Sequence, residues 1–174
     1  TQQSGFVFVA QMRANLPDAV GGVLWFGTDD ANMTVFTPVY CCTTKAPVCY
    51  TRVDGADYIT FSWNSAFWIF NWVANMVYPR YDLMIGDVRA TQNELETTFN
   101  EAQEGIEAAA VKLYEKNPET AVKFLTNYTD MTAQSTFDTW KRLGEFIIVK
   151  YNDGVIRKMK DGKFERNAIG QPAG

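Results

Sequence analysis

"GGVLWFGTDDANMTVFTPVY", residues 21–40, is the stretch whose reading decides the fold. Val23, Leu24, Trp25 and Phe26 form an apolar, aromatic run of strand length. Asp29, Asp30 and Asn32 interrupt it, and a second run ends at Pro38-Val39-Tyr40. An Asp/Asn segment between two strands is hairpin chemistry, because these residues tolerate turn conformations and bond to their own backbone. Adjacent side chains on a strand point to opposite faces, so Asp29 and Asp30 do not converge as a cooperating acid pair. A calcium loop would need an internal glycine and a terminal glutamate at fixed spacing, and neither is present. The segment reads as a turn, at most the rim of a site.

Upstream of this hairpin, "FVFVAQMR" (residues 6–13) is a further strand and "NLPDAVGG" is punctuation. Downstream, "CYTRV", an Asp54-Gly55 turn and "YITFSW" predict one or two more strands. The continuous apolarity of Val7 to Ala10 and Val23 to Phe26 predicts strands covered on both faces, in layers of helices over a sheet. Gly21-Gly22 is no phosphate cradle, since a strand follows it rather than a helix N-terminus.

The pattern changes near residue 64. Asn64 or Ser65 can cap a helix that Pro79 ends near Tyr78. Asn64, Trp68, Asn71 and Asn75 share one stripe of it, and their amides must find partners among themselves or in the backbone. A longer amphipathic helix spans roughly Tyr81 to Glu115, with Gly86 and Gly105 as points of bending or close approach. Asn117-Pro118-Glu119 is a helix start, with Asn117 as cap. A fourth helix is expected near Ala133 to Tyr151, although "FIIVKY" also reads as a strand. Residues 155–166 read as a small exposed hairpin about Asp161-Gly162. The fold class is α+β in a single domain, residues 1–174: mostly strands over 1–63, helices over 64–151, then a hairpin and tail.

Composition narrows the chemistry. The chain has 174 residues, 16 basic and 20 acidic, for a net charge of −4. No basic surface is available for nucleic acid, and no polybasic run for an anionic membrane. The apolar stretch 61–79 carries Asn64, Asn71 and Asn75 and stops at Pro79, too short for a membrane span. The sequence holds no histidine, so a Ser-His-Asp or Cys-His site contained in this chain is excluded. Cys41, Cys42 and Cys49 lack metal-ligand spacing and are an odd number, which fits neither a metal site nor a disulfide framework. An enzyme using Cys41 and Cys42 is disfavoured, and no cofactor is called for. Thr1 could act as an N-terminal nucleophile with its own α-amine as base, but "TQQSG" offers no lysine or carboxylate to tune that amine. Asn32-Met33-Thr34 and Asn127-Tyr128-Thr129 fit the glycosylation pattern, relevant only in a secretory setting.

Three runs carry a resemblance: residues 8–41 ("FVAQMRANLPDAVGGVLWFGTDDANMTVFTPVYC"), 65–81 ("SAFWIFNWVANMVYPRY") and 140–154 ("WKRLGEFIIVKYNDG"). Together they resemble the C-terminal portion of the dipeptidase A and secernin family of N-terminal-nucleophile cysteine hydrolases. The resemblance implies a four-layer αββα sandwich and hydrolysis of dipeptides by an autoprocessed N-terminal cysteine, whose α-amine replaces histidine as base. None of the three cysteines here is N-terminal, so the nucleophile and its supporting Asn and Arg are expected upstream of Thr1. The family pattern also places a histidine near "TQQS", where this chain has Gln3. The expectation is therefore a C-terminal region of a dipeptidase, inactive alone and prone to self-association. Arg13 and Asp30, each at a predicted strand end, are its candidates for contacting a dipeptide's charged ends. The rival is an interaction or scaffold domain that lacks a catalytic half.

Overall fold

The computed structural model describes residues 4–166; Thr1, Gln3 and the C-terminal tail lie outside the described residues. Strand β1 (Phe6–Met12), the one-turn helix α1 (Asp18–Gly21), β2 (Gly22–Thr28) and β3 (Thr37–Tyr40) come first. Helices α2 (Ala66–Val77), α3 (Tyr81–Lys116) and α4 (Pro118–Tyr151) follow, then the two-residue strands β4 (Met159–Lys160) and β5 (Lys163–Phe164). The class is α+β, an antiparallel sheet followed by long helices.

The sheet runs β1-β2-β3, with Phe6 opposite Thr28, Met12 opposite Gly22 and Val23 opposite Tyr40. The pleat puts Gln11, Val23, Trp25 and Tyr40 on one face. There Val23 and Tyr40 are buried against Ala110 of α3 and Leu125 of α4. The opposite face carries Phe6, Phe8, Ala10 and Met12 of β1 with Leu24 and Phe26 of β2. No helix of the described residues covers its β1 side. Phe8 is 51% and Met12 72% exposed. Coverage on both faces is thus not seen for Val7 to Ala10, because β1 is the edge strand and its outer face is bare.

The strands expected at "CYTRV" and "YITFSW" do not form. Two 3₁₀ turns, Val48–Tyr50 and Val53–Gly55, take the first, and a single bridge between Asp57 and Thr60 marks the second. Local side chains satisfy this segment in place of a ladder. The Trp68 indole donates to the Asp57 and Thr60 carbonyls at 2.9 and 2.7 Å. The Asp54 carboxylate accepts from the Ser62 hydroxyl at 2.7 Å and the Asn64 amide at 2.8 Å. Asp54 and Gly55 both have positive φ (54° and 75°), a turn that stops strand propagation.

Helix α2 buries Ile69, Phe70, Val73 and Val77. Phe70 stacks on Trp140 of α4 with ring centres 4.6 Å apart. Gly86 and Gly105 touch no neighbour; the close approach is at Gly144, where a Cβ would stand 2.2 Å from the Trp72 ring. Asn117 accepts from the Glu119 N–H at 2.9 Å and starts α4 as expected. That helix is one 34-residue element, not two, and it also absorbs "FIIVKY". Its middle hides behind threonines. Thr126, Thr129, Thr132 and Thr136 are buried, and the Tyr40 N–H on the outer edge of β3 donates to Thr129 Oγ1 at 3.2 Å. The helix thereby covers a sheet edge that would otherwise be unpaired. The terminal hairpin turns at Asp161 and Gly162, both with positive φ, as expected.

Candidate functional site

The Asp29-Asp30 turn is buried rather than solvated; the two residues are 3% and 4% exposed. Asp29 adopts φ 62°, and its N–H donates to the Gly5 carbonyl at 3.0 Å, which ties the turn to the start of β1. Its Oδ1 accepts from Asn71 Nδ2 on α2 at 3.0 Å. Asp30 Oδ2 accepts a short hydrogen bond from the Tyr78 hydroxyl, and its Oδ1 accepts the Asn32 N–H at 3.2 Å. Arg89 and Gln92 of α3 donate to the Asn32 carbonyl at 2.8 and 3.2 Å. Side chains of both α2 and α3 therefore hold this loop. Burial pushes the Asp29 carboxyl above its ordinary range, against the lowering effect of Asn71 and the Asp30 backbone. Desolvation and the neighbouring Asp30 push the Tyr78 phenol up to about 12.

Part of the expected asparagine stripe is a relay to this turn. Asn75 donates to the Asn71 carbonyl at 2.8 Å and to its side-chain oxygen at 3.1 Å, which leaves the Asn71 NH₂ for Asp29. A buried carboxyl thus receives a donor oriented from one helical turn away.

Arg13 lies at the other end of the sheet. Its Nη1 pairs with Glu107 of α3 at 2.6 Å, and Nε and Nη2 donate to the Gly21 and Val20 carbonyls. Glu107 also accepts from the Tyr40 hydroxyl at 3.1 Å and from Gln103 at 2.9 Å. Burial and the Glu107 charge together push the Tyr40 phenol far up. The seven residues of β2 separate Arg13 from Asp30, roughly 20 Å of strand. A fully extended dipeptide spans about 7 Å. The structure does not bring these two candidates together at opposite ends of one dipeptide.

Beside the Asp29 turn, at the Thr28 end of the bare sheet face, lies a cleft of about 490 Å³. Phe6, Phe26 and Thr28 form its floor, and the segments around Tyr50, Arg52 and Tyr58 one wall. Ser65 and Phe67, at the start of α2, form the other. Arg52 Nη2 is held by Asp57 Oδ2 at 3.1 Å. Thr28 is 7% exposed, and its hydroxyl has no hydrogen-bond partner. Buried polar groups are rarely left so. Sequence reasoning passed over this cleft. The available signal was the strand alternation, which puts Thr28 on the face of Leu24 and Phe26 as the polar end of an apolar row.

The thiols do not compose a nucleophilic site with these groups. Cys49 borders the cleft but is buried, and desolvation pushes its thiol up to about 12. Burial raises Cys42 as well. Both are held as neutral thiols at neutral pH, the opposite of an activated cysteine. Among the described residues no three His, Cys, Asp or Glu side chains are grouped to hold a metal ion. Among the described residues no helix is long and apolar enough to cross a membrane.

No curated protein matches the chain. A family model described as Peptidase family C69 matches residues 1–94. The match takes in the whole three-stranded sheet, the Asp29-Asp30 turn, the cleft, α2 and the first part of α3. It agrees with the resemblance to the dipeptidase A and secernin group and assigns the chain to peptide-bond hydrolases. The chain belongs to peptidase family C69.

Proposed function

We propose that the chain is the C-terminal part of a cysteine dipeptidase whose N-terminal cysteine lies outside these 174 residues. The chain supplies one sheet, its covering helices and a wall of the substrate pocket. In this reading the thiol, its proton taken by the free α-amine, attacks the dipeptide carbonyl. The carbon–nitrogen bond breaks, the departing amine takes the proton, and water hydrolyses the thioester.

One observation carries the proposal: a chain of this peptidase family presents an apolar sheet face, with Phe8 and Met12 more than half exposed. Sheet faces of that composition pack against a second layer. The absence of histidine and the raised pKa of the Cys42 and Cys49 thiols support it, since the chain then has no imidazole base and holds both of these thiols protonated. The test joins the chain to its upstream segment and measures dipeptide hydrolysis. Turnover by the joined protein, abolished by replacing the N-terminal cysteine with alanine, is the expected result. Turnover by the 174-residue chain alone, lost with Thr1→Ala, would overturn it.

A further inference from the structure

We infer that the cleft between β2 and the start of α2 takes a residue with an aromatic or large apolar side chain and a free carboxylate. Within the proposed dipeptidase, on which this inference rests, that residue is the C-terminal half of the substrate.

Three independent features converge there. The first is the apolar body. Phe6 and Phe26 stack with ring centres 6.0 Å apart, and Phe67 and Tyr58 line the same cleft. Such a lining favours a ring or branched chain over a glycine methylene.

The second is the anionic end. Helix α2 begins at the cleft, and the Ser65 hydroxyl makes no capping hydrogen bond. The first bond of this turn is the Ile69 N–H to the Ser65 carbonyl at 3.1 Å, so the N–H groups before it have no acceptor within the helix. A carboxylate satisfies them and meets the positive end of the helix dipole. Arg52 stands on the same cleft with one guanidinium nitrogen fixed by Asp57 and the rest unspent on that pair.

The third is the Thr28 hydroxyl. It is more than nine-tenths buried, borders the cleft and has no partner. A ligand's carbonyl oxygen would accept from it. This orphan group is what separates a built site from a greasy crevice.

The probes are Gly-Phe, Gly-Gly and Gly-Phe amide, titrated by amide-resonance NMR. The protein is the chain, and its Phe8→Lys, Met12→Lys variant, whose substitutions lie outside the cleft. Gly-Phe is expected to saturate and shift resonances of Thr28, Arg52 and Phe67. Gly-Gly should bind about tenfold more weakly, for want of the buried ring. Gly-Phe amide should also weaken about tenfold, and Arg52→Ala should erase the difference between acid and amide. Thr28→Val should weaken Gly-Phe about fivefold while leaving the melting temperature unchanged or higher, since its hydroxyl has no partner in the free protein. Equal affinity for Gly-Gly and Gly-Phe, no effect of Thr28→Val, or no saturable binding up to about 10 mM would each overturn the inference. Because no turnover is read, a failure here is distinct from failure of the joined protein to hydrolyse dipeptides.

Discussion

Asn71, in the middle of α2, donates to the carboxylate of Asp29, a residue held at positive φ and 3% exposed, across 3.0 Å. The contact joins the helix to the end of β2 and supplies a side-chain donor that lowers the Asp29 carboxyl against its burial. Replacing Asn71 by alanine strands a buried acid. The expected cost is about 1–3 kcal/mol in urea denaturation, larger at neutral than at acidic pH.

The pH dependence follows from the same residue. Burial raises the Asp29 pKa above 3.8, so the folded state holds this proton more tightly than the unfolded chain. Its contribution to stability is fully present below about pH 3.8 and is lost as the pH rises through the folded value. Asp29→Asn keeps an acceptor for Asn71 and tolerates the left-handed conformation. The variant should lose that downward limb between acidic and neutral pH and be the more stable protein at pH 7, measured by denaturation at a series of pH values.

Gly144 lets α2 and α4 meet. A methyl group there would stand 2.2–2.8 Å from three ring atoms of Trp72, whose ring packs edge-on against Trp63. Gly144→Ala should therefore destabilise by about 1–3 kcal/mol despite alanine's better helix propensity. In the double variant with Trp72→Ala the two costs should not add, and a double-mutant cycle reads the coupling.

The Thr129 hydroxyl accepts the Tyr40 N–H at the edge of β3. Thr129→Val preserves shape and removes the acceptor. A loss of about 1–3 kcal/mol and faster hydrogen exchange at the Tyr40 amide are expected. Thr139→Val, almost three turns further along α4 and half-buried, serves as the control, since its hydroxyl accepts an exposed hydrogen bond from Arg142.

Phe6, Phe8 and Met12 leave a bare apolar face beside a free strand edge, and such surfaces pair. The isolated chain is expected to self-associate at micromolar concentration in sedimentation. Phe8→Lys with Met12→Lys should return it to a monomer. A wild-type monomer that binds no hydrophobic dye would show that this face needs no covering.

The sheet and the helices were legible because their signals are local. Apolar runs rich in β-branched and aromatic residues marked β1 and β2, and Asn117-Pro118-Glu119 marked the start of α4. What was not legible depended on partners far along the chain. "YITFSW" has strand composition, yet the Trp68 indole and the Asp54 carboxylate claim its polar groups first. The middle of α4 reads as polar because its buried face is threonine, whose hydroxyls meet β3 and the loop after it. Asp29 and Asp30 look like a surface turn in isolation; only the arrival of Asn71 and Tyr78 makes them interior. The cleft was invisible for the same reason, since Thr28 and Ser65 are 37 positions apart and adjoin only after α2 docks.

The single-residue joint between α3 and α4 also works as a ruler. Leu83 and Tyr151 each stand 34 residues from Asn117, from 83 to 117 and from 117 to 151. At about 1.5 Å per residue both lie roughly 50 Å from the joint, level with each other. There the Tyr151 hydroxyl donates to the Leu83 carbonyl at 2.8 Å, and Lys150 meets Asp87 at 2.8 Å. A longer linker would let one helix slide a turn past the other, whereas a one-residue joint leaves no slack. One residue inserted mid-way along α3 would rotate everything before it by about 100° and lift it by 1.5 Å relative to α4. The latch at Tyr151 would miss its partner, so equal helix length, more than any one contact, sets the alignment at the far end.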